Sequence, residues 1–122
     1  MKNNSSMDRS KARPTDPLLR KAASLFRVLG DENRLRILYM LEQSEMNVTT
    51  LANTLDIEQS ALSHQLRALR NARLVKSRID GRNRMYSLDD EHVRVLLTDV
   101  LEHVAEDSHD QFHDEIEDKR EE

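Results

Sequence analysis

The chain has 122 residues, 37% of them apolar and 34% charged, a formal net charge of −4 and no cysteine. This supply of apolar residues supports one domain with a modest core, in which an uncovered apolar stripe would imply a dimer. The lack of cysteine excludes disulfides, thiolate metal sites and thiol redox sensing, in keeping with a cytoplasmic setting.

Residues 1–16 hold no apolar run of the kind a signal peptide needs, and no later stretch approaches membrane-spanning length. A mobile polar arm is expected there, and no membrane partner. The charge is unevenly spread: residues 107–122 carry eight acids against Lys119 and Arg120, a balance of −6 that leaves +2 on the rest. Within residues 59–88, Arg67, Arg70, Arg73, Lys76, Arg78, Arg82 and Arg84 oppose only Asp80, a balance of +6. That is a local basic surface of the kind nucleic acid attracts.

Asp16-Pro17 predicts a helix start by cap and first-turn proline, with Leu18, Ala22, Leu25, Phe26 and Leu29 on one apolar face ending at Gly30. Asp31 caps a second helix over about 32–42 that turns Leu35, Leu38 and Leu41 inward, with Ile37 and Tyr39 at the edges of the face. After a break at Gln43 to Asn47, a short helix near Thr49 to Leu55 leads to a turn at Asp56-Ile57-Glu58. The next helix, about 59–72, has Leu62, Leu66 and Leu69 on one face and Ser60, Ser63, His64, Arg67 and Asn71 on the other. A short helix, a tight turn and a helix with small polar residues outward is helix-turn-helix chemistry. Small hydroxyls let the helix approach base edges, Gln59 and His64 can donate or accept there, and Arg67 can reach a phosphate or guanine.

From Leu74 the pattern becomes alternating, with strands at Leu74 to Ile79 and Arg82 to Leu88 around a turn containing Gly81. Such a hairpin beside a recognition helix is a wing, whose Arg78, Arg82 and Arg84 would neutralise phosphates or enter a minor groove.

The last helix carries Val93, Leu96, Leu97, Val100, Leu101 and Val104 at helical spacing, with Asp89 or Asp90 as its cap. His92 and His103, eleven residues apart, return to nearly the same face; Glu106 lies on that side and Asp90 can swing toward His92. At 1.5 Å per residue the two histidines are about 16 Å apart along the axis, too far to share an ion. If two copies pack antiparallel through the apolar stripe, Asp90 and His92 of one meet His103 and Glu106 of the other, giving two symmetry-related sites. Two imidazoles and two carboxylates make a tetrahedral nitrogen and oxygen set that suits zinc.

This order of elements, with Ser63-His64-Gln65-Leu66 and Leu74-Val75 in place, resembles the ArsR/SmtB family of bacterial winged-helix repressors over about residues 18–106. The pattern Asp90-x-His92, ten residues, His103-x-x-Glu106 is similar to that family's zinc-sensing site on the last helix. The resemblance implies a mainly α (α+β) fold: a winged helix-turn-helix with a two-stranded wing, dimeric through the first and last helices. It implies a domain at 17–106 between the arm and an acidic tail at 107–122. It further implies a homodimer that sits on palindromic operator DNA without metal and leaves it when zinc binds, releasing an efflux or sequestration gene. By the same resemblance, His103 would bond a main-chain carbonyl just past the recognition helix, here that of Arg73.

The family's other common site needs cysteines on the short helix before the recognition helix, where this chain reads Asn47-Val48-Thr49-Thr50-Leu51-Ala52. His109 and His113 would be the extra ligands of a six-coordinate nickel or cobalt sensor. Two rival readings are a small zinc hydrolase and a winged-helix regulator that ignores metals. Four ligands with no open position and no nearby base argue against an enzyme.

Overall fold

The computed structural model describes residues 13–107. The arm up to residue 12 and the acidic tail from residue 108, with His109 and His113, lie outside the described residues. Within them are five helices and a three-stranded antiparallel sheet: α1 (Asp16–Leu29), α2 (Glu32–Gln43), β1 (Met46–Asn47), α3 (Val48–Leu55), α4 (Gln59–Asn71), β2 (Val75–Asp80), β3 (Asn83–Leu88) and α5 (Glu91–Asp107). This is the expected winged helix-turn-helix, with the wing formed by β2 and β3.

Helix starts follow from capping. Thr15, not Asp16, caps α1, its hydroxyl accepting from Leu18 N–H at 3.3 Å, while Asp16 sits in the first turn ahead of Pro17. Asp31 caps α2 through Arg34 N–H at 3.0 Å, as the sequence implies, and Asn47 caps α3 through Thr50 N–H at 2.8 Å. The turn between α3 and α4 depends on Asp56, which adopts φ 57 and so reverses the chain sharply; aspartate is among the few residues that tolerate this region.

The core gathers Ile37, Leu38 and Leu41 of α2, Leu51 and Ala52 of α3, Leu62, Leu66 and Leu69 of α4, and Leu74, Val75, Tyr86 and Leu88 at the base of the wing. From α5 only Val93 and Leu97 join it. Ile37 is fully buried rather than at an edge, because α2 packs against α3 on one side and β3 on another, and its inward face is wider than one leucine stripe. Leu18, Leu19 and Phe26 of α1, and Val95, Val100, Leu101 and Val104 of α5, remain exposed. Of the expected apolar face of α1, Leu25 and Leu29 pack against the core, joined there by Val28.

In the sheet β3 is central, paired with β1 on one side and β2 on the other. The two-residue β1, with Met46 opposite Tyr86 and Asn47 opposite Met85, is a third strand where the sequence pattern predicts only a break. Asp80 pairs with Asn83, leaving Gly81-Arg82 as a two-residue turn. Gly81 takes φ +64 and Arg82 does not take positive φ, the type II′ pattern that places glycine first.

No described helix is long and apolar enough to cross a membrane. Leu66 is 1% exposed on the inner face of α4, so Leu66→Ala should lower the unfolding free energy by about 2–5 kcal/mol in urea denaturation.

Candidate nucleic-acid interface and metal centre

α4 is amphipathic in the sense a recognition helix requires. Its inner face is anchored by Leu62, Leu66 and Leu69, while Gln59, Ser60, Ser63, His64 and Arg67 are all exposed on the outside. Two of these polar groups touch neighbouring residues across the turn. Gln59 donates from Nε2 to Thr49 Oγ1 of α3 at 3.3 Å, and Ser60 donates to Glu58 Oε1 at 3.1 Å. The remaining outer face is built of short polar groups with one imidazole and one guanidinium, which suits close approach to base edges.

At its far end α4 closes in a double hydrogen bond. Arg73 N–H donates to Arg70 O at 2.9 Å and Leu74 N–H donates to Leu69 O at 2.9 Å, with Arg73 at φ 62. This is a Schellman closure, and both Leu69 and Leu74 are buried beside it. Leu74 therefore ends the helix, and β2 begins one residue later than the alternation suggests.

The wing separates its arginines. Strand residues alternate between faces, and the register places Ile79 opposite Arg84 on the face that carries Val75, Tyr86 and Leu88, whereas Arg78 lies opposite Met85 on the other face. Arg82 occupies the exposed tip. Arg84 donates from Nη1 to Ser77 Oγ at 2.9 Å. Arg78 is engaged in two parallel bonds, Nε and Nη2 to the two oxygens of Glu45, each 2.8 Å. That hydrogen-bonded arginine holds the Glu45 carboxyl below the usual carboxylate range, and Glu45 raises Arg78 in turn. Arg78 is thus partly neutralised within the chain, and Glu45 is a participant that sequence reasoning missed.

Two of the expected metal ligands meet at the start of α5. Asp90 accepts from Val93 N–H through Oδ1 at 3.1 Å, which makes it the cap, and its Oδ2 lies 3.6 Å from His92 Nδ1. The Val93 N–H is the main reason that its carboxyl is held below the ordinary aspartate range, with His92 contributing as well. The His92 side chain is 98% exposed, so its ring can turn to a second chain without leaving a packed position. His103 and Glu106 are exposed on the last turns of α5, with His103 about 16 Å from His92 along the helix axis. Among the described residues of one chain, no three histidine or carboxylate groups come together as a metal site. Asp89 N–H, next to the cap, donates to Leu74 O at 3.0 Å and ties the start of α5 to the closure of α4.

The pattern of the arsR family of bacterial regulatory proteins matches residues 31–77, from the α2 cap through the helix-turn-helix into the wing. The transcriptional repressor SmtB homolog of Synechocystis sp. is 46% identical over 84 residues, a stretch covering 69% of this chain and 64% of that relative. The HTH-type transcriptional regulator NmtR of Mycobacterium tuberculosis is 44% identical over 95 residues, covering 75% of this chain and 79% of the relative. The chain belongs to the ArsR family. A homodimeric winged helix-turn-helix DNA-binding domain from Mycobacterium bovis superposes with a TM-score of 0.68 at 31% identity, covering 80% of this chain and 92% of that one. This ArsR-family chain is therefore a member of a family of transcriptional regulators, and its fold is theirs.

The unequal states of the wing arginines give a measurable contrast. Removing one phosphate contact reduces the steepness of log affinity against log salt by about 1. Arg82→Ala should produce that change on random-sequence duplex DNA. Arg78→Ala should change the slope by clearly less, because Glu45 already partners its guanidinium.

Proposed function

We propose that the chain is a cytoplasmic metal-responsive transcriptional repressor. A homodimer formed through α1 and α5 binds palindromic operator DNA, and zinc held between the subunits causes release and derepression of an efflux or sequestration gene. The observation that carries the metal part is the Asp90–His92 pair, 3.6 Å apart at the exposed start of α5, with His103 eleven residues beyond His92 on the same helix. The DNA part is supported by the outward face of α4 and the wing, with Gln59, Ser60, Ser63, His64 and Arg67 reading bases and Arg82 and Arg84 contacting phosphates; Arg78 contributes once it leaves Glu45.

The uncovered residues support the dimer. Phe26 is 60%, Val100 44% and Val104 53% exposed, and an apolar hollow of about 250 Å³ lined by Phe26, Leu35, Leu96, Leu97, Val100 and Leu101 runs between α1 and α5. Burying such surface on a second copy stabilises by about 25 cal/mol per Å² of apolar area. Antiparallel α5 helices would bring Asp90 and His92 of one chain to His103 and Glu106 of its partner, at both ends of the seam.

The donor set fits zinc: two imidazoles, two carboxylates and no thiolate. Asp90 is prepared for this role because its cap bond occupies one oxygen and leaves the other facing His92. A bound zinc would supply a charge-neutral cross-link between the two chains. Coupling to DNA would run from His103 to the Arg73 carbonyl at the closure of α4. Residues 1–16 and 107–122 would act as a polar arm and an acidic tail around this domain.

Titration against a strong chelator should give about one zinc per chain, with loss of operator affinity over the same range. Intense visible bands from the cobalt-substituted protein mean a tetrahedral site, and weak bands mean a six-coordinate nickel or cobalt site that recruits His109 and His113. His103→Ala should leave metal-free operator binding near that of the parent and abolish zinc-driven release. Asp90→Ala should chiefly weaken zinc binding, with release surviving at high zinc. A His103 variant that is saturated with zinc and still leaves the operator like the parent would overturn the coupling route.

A further inference from the structure

Arg34, in the first turn of α2, joins three helices. Its main-chain N–H is taken by the Asp31 cap. Its guanidinium donates from Nε to Gln65 Oε1 at 2.8 Å and from Nη1 to Val28 O at 3.3 Å. Val28 lies in the last turn of α1, where carbonyls have no partner within the helix and carry the negative end of the helix dipole. Gln65 lies on α4, half-buried between the core leucines Leu62, Leu66 and Leu69 and the outer residues Ser63, His64 and Arg67.

We propose that Arg34 is a positioning residue for operator recognition, transmitting the seat of α1 in the dimer to the orientation of the recognition helix through Gln65. The proposal rests on the operator-binding reading above. The physical reason is geometric. The two reading heads of a dimer must enter successive major grooves about 34 Å apart, and their separation depends on the helices that form the seam. α1 offers Leu18, Leu19 and Phe26 to that seam and, in its last turn, the Val28 carbonyl to Arg34. Leucine packing along α4 seats its inner stripe, and small rolls within that seat are limited further by directed bonds, whose geometry is narrower than that of apolar contacts. A directed bond at Gln65 fixes the roll, and with it the direction in which Ser63, His64 and Arg67 face. The guanidinium is suited to this because its donors are fixed in one plane, so the two acceptors, on α1 and α4, are held at a set separation. Lysine carries the same charge without that fork.

The test compares two duplexes of equal length at one salt concentration: one selected by the parent chain from a randomised pool, and a scrambled version of it. Arg34→Lys and Gln65→Leu should each lower affinity for the selected duplex about tenfold, with affinity for the scrambled duplex within about twofold, because phosphate contacts are kept. The double variant should be no worse than either single one, and Gln65→Glu, which keeps an acceptor for Arg34, should retain the preference. Thermal unfolding and sedimentation identify any variant that fails to fold or dimerise. If Arg34→Lys fails to fold, Gln65→Leu and Gln65→Glu carry the comparison, since they leave the Val28 contact intact. Equal loss on both duplexes, additive effects in the double variant, or an unchanged preference would overturn the proposal. Failure of the parent to select any duplex would instead overturn the operator reading itself, and the role of Arg34 with it.

Discussion

Leu74 uses both of its main-chain groups where three elements meet. Its N–H donates to Leu69 O at 2.9 Å and closes α4, and its C=O accepts from Asp89 N–H at 3.0 Å and closes the wing one residue before the cap of α5. Its side chain, 1% exposed, packs in the core beneath both. The arrangement requires the preceding residue, Arg73, to adopt φ 62, a conformation that costs a non-glycine residue roughly 1–2 kcal/mol. The two hydrogen bonds and the burial of Leu69 and Leu74 offset that cost. Without this turn, the recognition helix, the wing and the last helix would have no common reference.

The same turn would place a metal bound at the start of α5 close to the end of the recognition helix. Asp90, which caps α5, is one residue from Asp89, and Asp89 is bonded to the residue that ends α4. Asp90 is therefore linked to the end of α4 through main-chain bonds alone. Arg34 joins α4 to α1. The recognition helix is thus held at its end by a main-chain closure and along its side by a guanidinium, while its leucines supply the bulk of its stability.

Much of this is legible in the sequence, and the reasons are local. The leucines of α2 and α4 recur at helical spacing, Asp31 is a cap by type and position, Asp90 is one of two candidates that the structure resolves, and the strands alternate around a glycine turn. What escapes depends on contacts between distant residues or on context that no window contains. Glu45 and Arg78 are 33 positions apart, and Arg34 and Gln65 are 31 apart, so neither pair leaves a periodic trace. β1 is two residues long and too short to alternate; it exists because β3 offers it an edge. Ile37 looks peripheral by spacing but is buried because two elements flank α2. Thr15 displaces Asp16 as the cap because Pro17 is compatible with the first turn, which leaves either neighbour able to precede it. The ligand residues at the two ends of α5 are visible as a helical line. Their assembly as the proposed site would take a second chain, and Asp90 and His92 already lie 3.6 Å apart within one.

The Glu45–Arg78 pair bears on how quickly such a protein finds its site. A chromosome offers on the order of 10⁶ or more competing stretches, and every cation on the binding surface strengthens all of them equally. With the guanidinium of Arg78 occupied by a carboxylate from the loop before β1, a chain that binds DNA through its wing would hold irrelevant sequences less tightly, while Arg82 stays exposed at the wing tip. Residence on wrong sequences would then be shorter, and the cost at the right one small wherever closer contacts drew Arg78 away from Glu45. An exposed intramolecular ion pair, which adds little to folding, would in that way shorten the search.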